Sequence, residues 1–402
     1  LRSGQAVDRY LMEETKRIID AYGHHPSFVM FALGNEPAGR WVEYCNNWVS
    51  EMMAYDSTRV YCGASVGGGW AWDDGSQFHV KGGGRGLNWD SRAPQSVDDY
   101  YTSLTFPRNY RDTVPNNTPI IAHEQGQWCA FPDLKEIDDY TGAYKASNFE
   151  IFRDLLAENG MEQRAETFLH ASGKLQTLAY KYEAERNLRT PDYAGFQLLS
   201  LNDYSGQGSA LVGVLNVHWR EKGYCTVDEW REFCSPIVPL ACFPKFVYTN
   251  AETLRVPLQI YHAGNMPLDD VTCNYTLSGV GDEHTGQLSL NRLPIGKNIE
   301  ADTVVYSLSA ISSATKGTLS VVITDNVTGN IVGRNHWEFW IYPSHVDAPS
   351  EEGIYIADKL TDEALEVLKQ GGKVLLTAAG NVTYGNDVVQ HYLPVFWNTS
   401  WF

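Results

Sequence analysis

The chain has 402 residues, a length that predicts two or three domains rather than one. Its hydrophobic content of 43% can supply buried cores, and its aromatic content of 12%, with 12 Trp and 23 Tyr, suits either large cores or sugar-binding clefts. A formal net charge of −18, a pI of about 5.0 and the lack of a Lys/Arg cluster exclude a nucleic-acid binder. No apolar run approaches the roughly 20 residues that span a bilayer, so no membrane insertion is predicted.

The first 240 residues alternate between helical and strand patterns. In chain order these patterns predict a helix at 4–22, a strand at 28–36, a helix at 40–55, a strand at 58–63, a Gly- and Trp-rich loop at 67–86 that includes a short strand near 78–80, a strand at 119–124, helices within 145–188 and a strand at 194–201. The first helix is expected to bury a face that carries Val7, Leu11, Ile18 and Ile19. Residues 97–113 are ambiguous.

Strands that alternate with helices predict βα units around a parallel sheet, and hence an α/β protein with a (β/α)8 TIM barrel. About five barrel strands can be counted before residue 216, whereas a closed barrel needs eight. The chain also opens in a helix. We therefore expect residues 1–240 to be the C-terminal portion of a barrel, strands 4–8, with its N-terminal strands missing.

The pattern changes after about residue 243, where helical periodicity stops. Short alternating runs between Gly, Asn and Asp predict the strands of an immunoglobulin-like β-sandwich, at 254–261, 271–277, 304–308, 317–324 and 335–342. Residues 343–350 are typical of a linker. A strand at 353–357, a helix at 362–370 capped by Thr361 and a strand at 373–377 follow. The predicted domains are a barrel portion at 1–240, a sandwich at 241–345 and the start of an α/β domain at 346–402.

Two of the predicted barrel strands end in a glutamate, at Glu36 and at Glu124. Runs this apolar are expected to be buried on both faces of a parallel sheet, and the C-terminal tips of barrel strands are where catalytic groups lie. Cleavage of a glycosidic bond with retention needs two carboxyls about 5 to 5.5 Å apart. One is a nucleophile, and the other is an acid/base whose pKa a half-buried strand end can raise. A glutamate at the end of one strand is usually an ordinary surface residue. Two of them at the ends of strands in the same parallel sheet are less easily explained in that way.

The segment before Glu36 carries a family resemblance. His25-Pro26-Ser27-Phe-Val-Met-Phe-Ala-Leu-Gly-Asn35-Glu36 resembles the strand-4 signature of glycoside hydrolase family 2, a clan A family that contains β-galactosidases, β-glucuronidases and β-mannosidases. The resemblance covers about residues 1–240, and the following sandwich fits the family's domain order. It implies Glu36 as acid/base and Glu124 as nucleophile. Asn35 is expected to bind the sugar 2-hydroxyl or to orient the nucleophile.

The resemblance also implies what the protein does. The expected function is that of an exo-acting enzyme that removes terminal β-linked sugars, with a β-galactoside as the favoured substrate, a carbohydrate as the partner and no cofactor or metal. The family's domain style implies a periplasmic or secreted bacterial protein, and oligomerisation is left open. The family's sugar-binding jelly roll, first sandwich and barrel strands 1–3 would precede this sequence.

This sequence departs from the family near its last barrel strand. Many members carry a Trp-rich segment there that forms the floor of the sugar subsite, whereas residues 197–207 contain no Trp. We expect the loop at 205–209 to shape the pocket instead, and the choice of sugar stays open.

Further residues near predicted strand ends are candidates for binding the sugar. His79 follows the short strand near 78–80, and His123 precedes Glu124, so that alternation points it to the other side of the strand unless it approaches from the rim. The remaining candidates are three loop tryptophans that could stack on the sugar and two polar residues that end the last strand: Trp70, Trp72, Trp128, Asn202 and Asp203. Ordinary packing is the alternative for each of them.

Other functions have weaker support. Gly63-Ala-Ser65-Val-Gly67 fits the Gly-x-Ser-x-Gly elbow of serine esterases, but the glycines and tryptophans after it cannot form the helix that an elbow requires. The Gly-rich stretch at 82–86 lacks the Gly-Lys-Ser/Thr ending of a phosphate loop, so a flexible active-site loop is expected there. The remaining alternative is a non-catalytic carbohydrate-binding protein with the same fold, which two intact glutamates disfavour.

The seven cysteines are scattered and none has Cys-x-x-Cys spacing, so a zinc or iron–sulfur site is not predicted. Most are expected to be buried as small hydrophobic residues.

Overall fold

The computed structural model describes residues 4–67, 70–82, 114–190, 193–204, 210–346, 352–381 and 395–396. Within them the protein is a mixed α/β structure with several sheets. They form two compact units: the first holds the described residues up to Tyr342 together with Val395–Phe396, and the second holds those from Pro343 to residue 381. The ambiguous stretch at 97–113 and the loops predicted at 83–86 and 205–209 lie outside the described residues.

Five strands of the first unit form one parallel sheet whose spatial order follows the sequence. They are β1 (Met30–Asn35), β2 (Val60–Val66), β3 (His79–Gly82), β4 (Ile120–Gln125) and β6 (Tyr193–Leu198). Every neighbouring pair is parallel. The carboxyl ends of all five strands therefore lie along one edge of the sheet, as the sequence predicted.

Helices accompany these strands. They are α1 (Ala6–Tyr22), α2 (Trp41–Tyr55), α3 (Ser147–Glu158), α4 (Ala165–Arg189) and α5 (Val227–Arg231), with 3-10 turns at Pro115–Asn117, Leu134–Asp139 and Glu162–Arg164. In chain order, α2 connects β1 to β2, α3 and α4 lie between β4 and β6, and α1 and α5 precede and follow the sheet. Helix α2 buries Trp48, Val49 and Met52 against β1 and β2, in one apolar cluster with Tyr61. Among the described helices, none is long and apolar enough to cross a membrane.

The buried face of α1 differs from the predicted one. Val7 is exposed, whereas Asp8, Thr15 and Ile19 are buried. The two buried polar residues are hydrogen-bonded at this face. The Tyr44 hydroxyl of α2 donates to the main-chain carbonyl oxygen of Asp8, whose carboxylate accepts the Gln5 backbone N–H at 3.1 Å, and Trp48 Nε1 donates to Thr15 Oγ1 at 3.1 Å. Hydrogen bonding between two helices thus overrides the apolar pattern of α1.

Strand β1 is not buried on both faces, which corrects the sequence prediction. Its residues are half-buried or exposed, with Met30 41% exposed, whereas β2 is buried from Tyr61 to Val66. The reason is position, because within the described chain β1 is the edge of the sheet and pairs with β2 alone. An apolar run therefore identified the strand correctly but not its degree of burial.

A second group of strands packs as two sheets around one apolar core. The strands are β7 (Ile237–Ala241), β8 (Val247–Thr249), β9 (Thr253–His262), β10 (Val271–Ser278), β11 (His284–Leu288), β12 (Gly296–Ser307), β13 (Thr315–Asp325) and β14 (Asn330–Tyr342). The sheet orders are β11-β10-β13-β14-β8 and β12-β9-β7. Both sheets contribute to the core, for example through Val256 and Ile260 from one and Cys273, Ile323 and Phe339 from the other.

The five strands predicted in this region are confirmed, while three were missed. Strands β7, β8 and β11 contain only five, three and five residues, too short to show alternation. Strand β7 pairs with β9, so the sandwich sheets begin at Ile237, within the stretch that the sequence analysis gave to the first domain.

The C-terminal end of α4 joins the parallel sheet region to the sandwich. The Glu185 carboxylate accepts hydrogen bonds from Asn335 Nδ2 at 2.8 Å and Trp337 Nε1 at 2.9 Å, both on β14. Lys297 of β12 donates to the carbonyl oxygens of Thr190 at 2.5 Å and of Tyr193. Side chains of both sandwich sheets therefore hydrogen-bond to the end of α4 and to the residues that follow it.

The second unit is a single βαβ arrangement. Strands β15 (Ile354–Ala357) and β16 (Lys373–Leu376) are parallel and flank α6 (Asp362–Lys369). Thr361 Oγ1 accepts a hydrogen bond from the Ala364 backbone N–H at 3.2 Å, which confirms the predicted N-cap. In the first unit, β17 (Val395–Phe396) pairs with β5 (Trp128–Cys129).

Candidate active site

Glu36 directly follows β1 at the carboxyl edge of the parallel sheet. Its backbone N–H donates to the Ser65 carbonyl oxygen at 2.9 Å, which continues the pairing with β2 by one residue. Its backbone φ of +47° is left-handed, a conformation that residues other than Gly, Asn and Asp seldom adopt. Glu36 and Asn35 are both exposed. The half-buried setting that the sequence analysis expected for Glu36 is therefore absent.

Glu124 lies near the carboxyl end of β4, three strands away from β1. Its φ of +53° is also left-handed, and the pairing of β4 with β6 shifts register between Ala122 and Gln125. The turn continues at Gly126 with φ of +76°, where a Cβ atom would overlap the ring of Tyr180. The Glu124 side chain is 19% exposed, so Glu124 is the half-buried member of the pair.

Two neighbours lie against the Glu124 carboxylate, one of them through a hydrogen bond. Gln127 Nε2 donates to Oε2 at 3.0 Å, and His123 Nε2 lies 3.3 Å from Oε1. The other ring nitrogen of His123, Nδ1, lies 3.3 Å from Gln197 Oε1 on β6. Regular alternation predicted that His123 would point away from Glu124. The left-handed backbone at Glu124 breaks that alternation and brings the two side chains together.

Sequence reasoning missed Gln127 and Gln197. Both contribute amide side chains to the surroundings of Glu124, and Gln127 is buried. The available signal was weak: Gln127 stands three residues after Glu124, in a Gly-containing turn that brings such residues close.

His79 opens β3 instead of following it, which corrects its predicted position. It is buried, with Nδ1 3.3 Å from Asp73 Oδ1 and its ring 4.8 Å from that of Trp72. Lys81 lies on the same strand, and its Nζ donates to the Trp70 and Ala71 carbonyl oxygens at 2.5 and 2.9 Å. Burial lowers the pKa of Lys81 to about 8. The backbone of the Trp70–Asp73 loop is therefore tied to β3.

The three candidate tryptophans have different surroundings. Trp70 is exposed in a loop and Trp72 is half-buried, with Lys81 Nζ 4.2 Å from its ring centre. Trp128 lies in β5, not in a loop, and is only 8% exposed. Its Nε1 donates to Glu183 Oε1 at 3.1 Å. Trp70 is thus the most accessible of the three as a stacking surface.

Asn202 and Asp203 lie beyond the end of β6, which stops at Leu198 rather than at residue 201. Asp203 is buried and forms an ion pair of 2.6 Å with Lys222, and its Oδ1 accepts the Gly213 backbone N–H at 3.0 Å. Burial raises its pKa, and Lys222 opposes that rise. The Asp203 carboxylate is therefore engaged in contacts within the protein. Asn202 is half-buried.

Glu136 is a buried carboxyl that the sequence did not single out. It lies in the 3-10 turn Leu134–Asp139 and is 3% exposed, and within the described part of the chain neither carboxyl oxygen has a hydrogen-bond partner. Burial raises its pKa to about 7, with a smaller contribution in the same direction from Asp203 and an opposing one from Lys222. A neutral carboxyl is the expected state of such a group in mildly acidic solution.

Ser65 does not occupy a nucleophile elbow. It is a buried residue within β2 rather than at a turn after that strand. The structure therefore contradicts the esterase alternative. Among the described residues, no group of three or more His, Cys, Asp or Glu side chains is arranged to hold a metal ion.

The cysteine prediction is confirmed. All seven are free, and five are buried: Cys45, Cys62, Cys129, Cys242 and Cys273. Burial raises the pKa of the Cys45 and Cys62 thiols to about 12.

Comparison with known proteins finds two families and several distant structures. Residues 252–343 match a family described as "Domain of unknown function (DUF8488)", and residues 355–402 match "Domain of unknown function (DUF8487)". No curated protein matches the chain.

The structure is similar to those of two glycosidases. For the exo-chitosanase CsxA of Amycolatopsis orientalis, the identity is 15% over 82% of this chain and 38% of that chain, with a TM-score of 0.44. For a β-glucuronidase of Bacteroides uniformis, the identity is 12% over 90% of this chain and 39% of that chain, with a TM-score of 0.35. This chain therefore spans less than two fifths of the length of either enzyme.

Proposed function

We propose that this protein is a retaining exo-β-glycosidase of the glycoside hydrolase family 2 type, with Glu36 as acid/base and Glu124 as nucleophile. One observation carries the proposal. Among the described residues, only Glu36, Glu124 and Trp219 combine a left-handed backbone with a side chain other than Asn or Gly. Two of the three are the glutamates at the carboxyl edge of one parallel sheet. Such backbone strain concentrates at functional sites, because the surrounding structure must maintain it for a purpose.

The chemistry follows from the surroundings of each carboxyl. Glu124, held by Gln127 and His123, would attack the anomeric carbon while Glu36, on the open side, protonates the leaving oxygen. The glycosyl-enzyme bond to Glu124 would then be broken by water, with Glu36 as base. The first product keeps the β configuration. Asn35 beside Glu36 would bind the sugar 2-hydroxyl.

The carboxyl separation sets a geometric requirement. Strands β1 and β4 are three steps apart, roughly 14 Å along the sheet at about 4.8 Å per step. A retaining enzyme needs about 5 to 5.5 Å between the carboxyls. Both side chains must therefore lean over the ends of β2 and β3, which a sheet curved towards a barrel would allow.

The finer fold assignment belongs to the same proposal. The sequential parallel order β1-β2-β3-β4-β6 supports barrel strands 4–8 for the parallel sheet. The strand order of the two sandwich sheets supports an immunoglobulin-like domain near residues 241–345, and the βαβ unit supports an α/β segment at 346–402. A periplasmic or secreted location is part of the proposal.

The test is hydrolysis of a panel of aryl β-glycosides: galactoside, glucoside, mannoside and glucuronide. We expect one of them, the galactoside first, to be cleaved, and proton NMR to show the β-anomer as the first product. Glu124→Gln and Glu36→Gln should each lower kcat at least about 1,000-fold, whereas the exposed control Glu283→Gln should not. A panel that is left intact, or hydrolysis that survives Glu124→Gln, would refute the proposal. Sugar binding without hydrolysis would instead support the non-catalytic carbohydrate-binding protein.

A further inference from the structure

Trp219 is the third residue with an unusual backbone, and it lies outside the two-glutamate site. Its φ is +64° and its side chain is 65% exposed. Among the described residues, nothing hydrogen-bonds its indole nitrogen. A bulky aromatic residue at positive φ is an outlier, and an exposed one gains no burial in return.

The turn that presents Trp219 is rigidly built. Buried Asn216 accepts two backbone N–H groups through Oδ1, from His218 at 3.0 Å and from Arg220 at 2.9 Å. The backbone closes the same turn, with Asn216 N–H donating to the Arg220 carbonyl oxygen and Trp219 N–H donating to that of Asn216, both at 2.9 Å. The backbone that carries the indole is therefore held in place before any ligand arrives.

The turn that carries Trp219 contacts segments that follow the carboxyl ends of the parallel strands. Leu215, just before it, forms a bridge with Asn202 beyond β6. Arg220 pairs with Asp139 at 2.8 Å, and the His218 ring lies 5.5 Å from that of Tyr140, both contacts being with the end of the 3-10 turn after β5. Trp219 is thus anchored on the loops of the edge that carries Glu36 and Glu124.

We propose that Trp219 is a stacking platform for a pyranose unit of an oligosaccharide substrate, distinct from the unit whose bond is cleaved. The inference rests on the proposed function for its reaction and names its substrate class: a β-linked oligosaccharide rather than a small glycoside. The apolar face of a β-linked pyranose complements a flat indole, and a turn whose backbone is fixed in advance loses little conformational freedom on binding. This aromatic surface lies in a loop after β6, whereas the family's Trp-rich segment would lie at the end of the strand itself.

The experiment uses Trp219→Gly, since glycine adopts the left-handed backbone freely and removes the whole side chain, the indole included. We measure kcat/KM on β-1,4-linked galactose, glucose and mannose tetrasaccharides and on the matching aryl monosaccharides. The ratio of tetrasaccharide to aryl activity should fall at least tenfold, through a higher KM. Trp219→Tyr should restore part of it. The control Trp340→Ala, on the exposed side of β14, should leave the ratio unchanged. An unchanged ratio in Trp219→Gly would overturn the proposal.

A separate readout distinguishes failure of this inference from failure of the proposed function. If the unaltered protein cleaves no glycoside, the proposed function fails, and calorimetric titration with the three tetrasaccharides tests Trp219 directly. Binding that weakens at least tenfold in Trp219→Gly supports the platform. Binding that is equal in both proteins, or undetectable in the unaltered protein, overturns it. Equal unfolding temperatures of the two proteins would show that the variant is folded.

Discussion

At the scale of single residues, the surroundings of Glu124 show how one backbone angle changes a site. A regular strand would direct His123 and Glu124 to opposite faces. The left-handed angle at Glu124 instead leaves the two side chains 3.3 Å apart, and the following turn delivers Gln127 to the carboxylate.

Gln127→Leu should lower kcat by about 10- to 100-fold on an aryl glycoside, because a hydrogen bond to a charged group contributes about 1.5 to 3 kcal/mol. KM should change little, since the Gln127 amide donates to the Glu124 carboxylate and would act through it. Gln163→Leu, at an exposed position, is the matched control and should behave like the unaltered protein. A Gln127 variant with normal kcat would show that this amide does not orient Glu124. The measurement is steady-state kinetics.

Glu136 predicts a pH dependence of stability. Its pKa is about 7 in the folded protein against an ordinary value of 4.5 for a glutamate, so the folded state keeps a proton that the unfolded chain releases. The free energy of unfolding should therefore fall as pH rises from about 4.5, and the fall should be complete above about 7. Its size is on the order of 3 kcal/mol. Burial is the main cause of the raised pKa of Glu136. The charges of Asp203, Asp133 and Asp139 raise this pKa further, and the charge of Lys222 lowers it.

Urea unfolding of Glu136→Gln between pH 5 and pH 8 measures this effect. The neutral amide cannot ionise, so the variant should lose less stability than the unaltered protein as the pH rises and should be the more stable of the two at pH 8. Glu283→Gln, which is exposed, should follow the unaltered protein throughout. Parallel curves for the unaltered protein and Glu136→Gln would count against a buried neutral carboxyl.

At the scale of elements, the end of α4 is the connection between the parallel sheet and the sandwich. Glu185 reaches β14, Arg189 Nη1 lies 3.3 Å from Glu185 Oε2, and Lys297 binds carbonyl oxygens after the helix. Asn298 adds a hydrogen bond of 2.6 Å to the Arg189 carbonyl oxygen. The helix end is therefore completed by residues more than 100 positions away.

Lys297→Met should lower the free energy of unfolding by about 1 to 3 kcal/mol, because it removes the hydrogen bonds that a charged ammonium donates to the Thr190 and Tyr193 carbonyl oxygens in a part-buried interface. Lys316→Met removes an exposed ion pair with Glu338 and should cost about 0 to 1 kcal/mol. Chemical denaturation monitored by circular dichroism compares the two. An equal loss in both variants would mean that Lys297 contributes no more than a surface pair.

At the scale of the whole molecule, the seven cysteines all lie in the first unit and report on how well that unit is packed. Cys45, Cys62, Cys129 and Cys273 are buried, and burial raises the pKa of each thiol to about 12. A thiol reagent that needs the thiolate should therefore react with them slowly in the native protein.

Titration with an aromatic disulfide reagent at pH 8 tests this packing. The native protein should expose at most Cys225 and Cys234 within minutes, the two that are half-buried, whereas the protein in guanidinium should expose all seven. Rapid reaction of more than two thiols in the native protein would contradict the packing described above. The same experiment on an unfolded control gives the total count.

Most elements of this protein are determined by local sequence. Helical spacing predicted α2, the cap at Thr361 predicted α6, apolar runs predicted β1, β4 and β6, and alternation predicted β9, β10, β13 and β14. The short strands β7, β8 and β11 could not be predicted, because so few residues show no period and their pairing depends on partners far along the chain.

The sequence by itself determined which residues are candidates for chemistry: two glutamates at the ends of parallel strands, and polar and aromatic residues near them. Only the tertiary structure decided their surroundings. The burial of β1 depends on its place in the sheet, and the approach of His123 to Glu124 depends on one left-handed residue. Asp203 is engaged within the protein because it forms an ion pair with Lys222. Trp219 is exposed because Asn216 holds its turn. Local pattern fixes the type of an element, whereas burial and side-chain contact depend on residues distant in sequence, which no local pattern records.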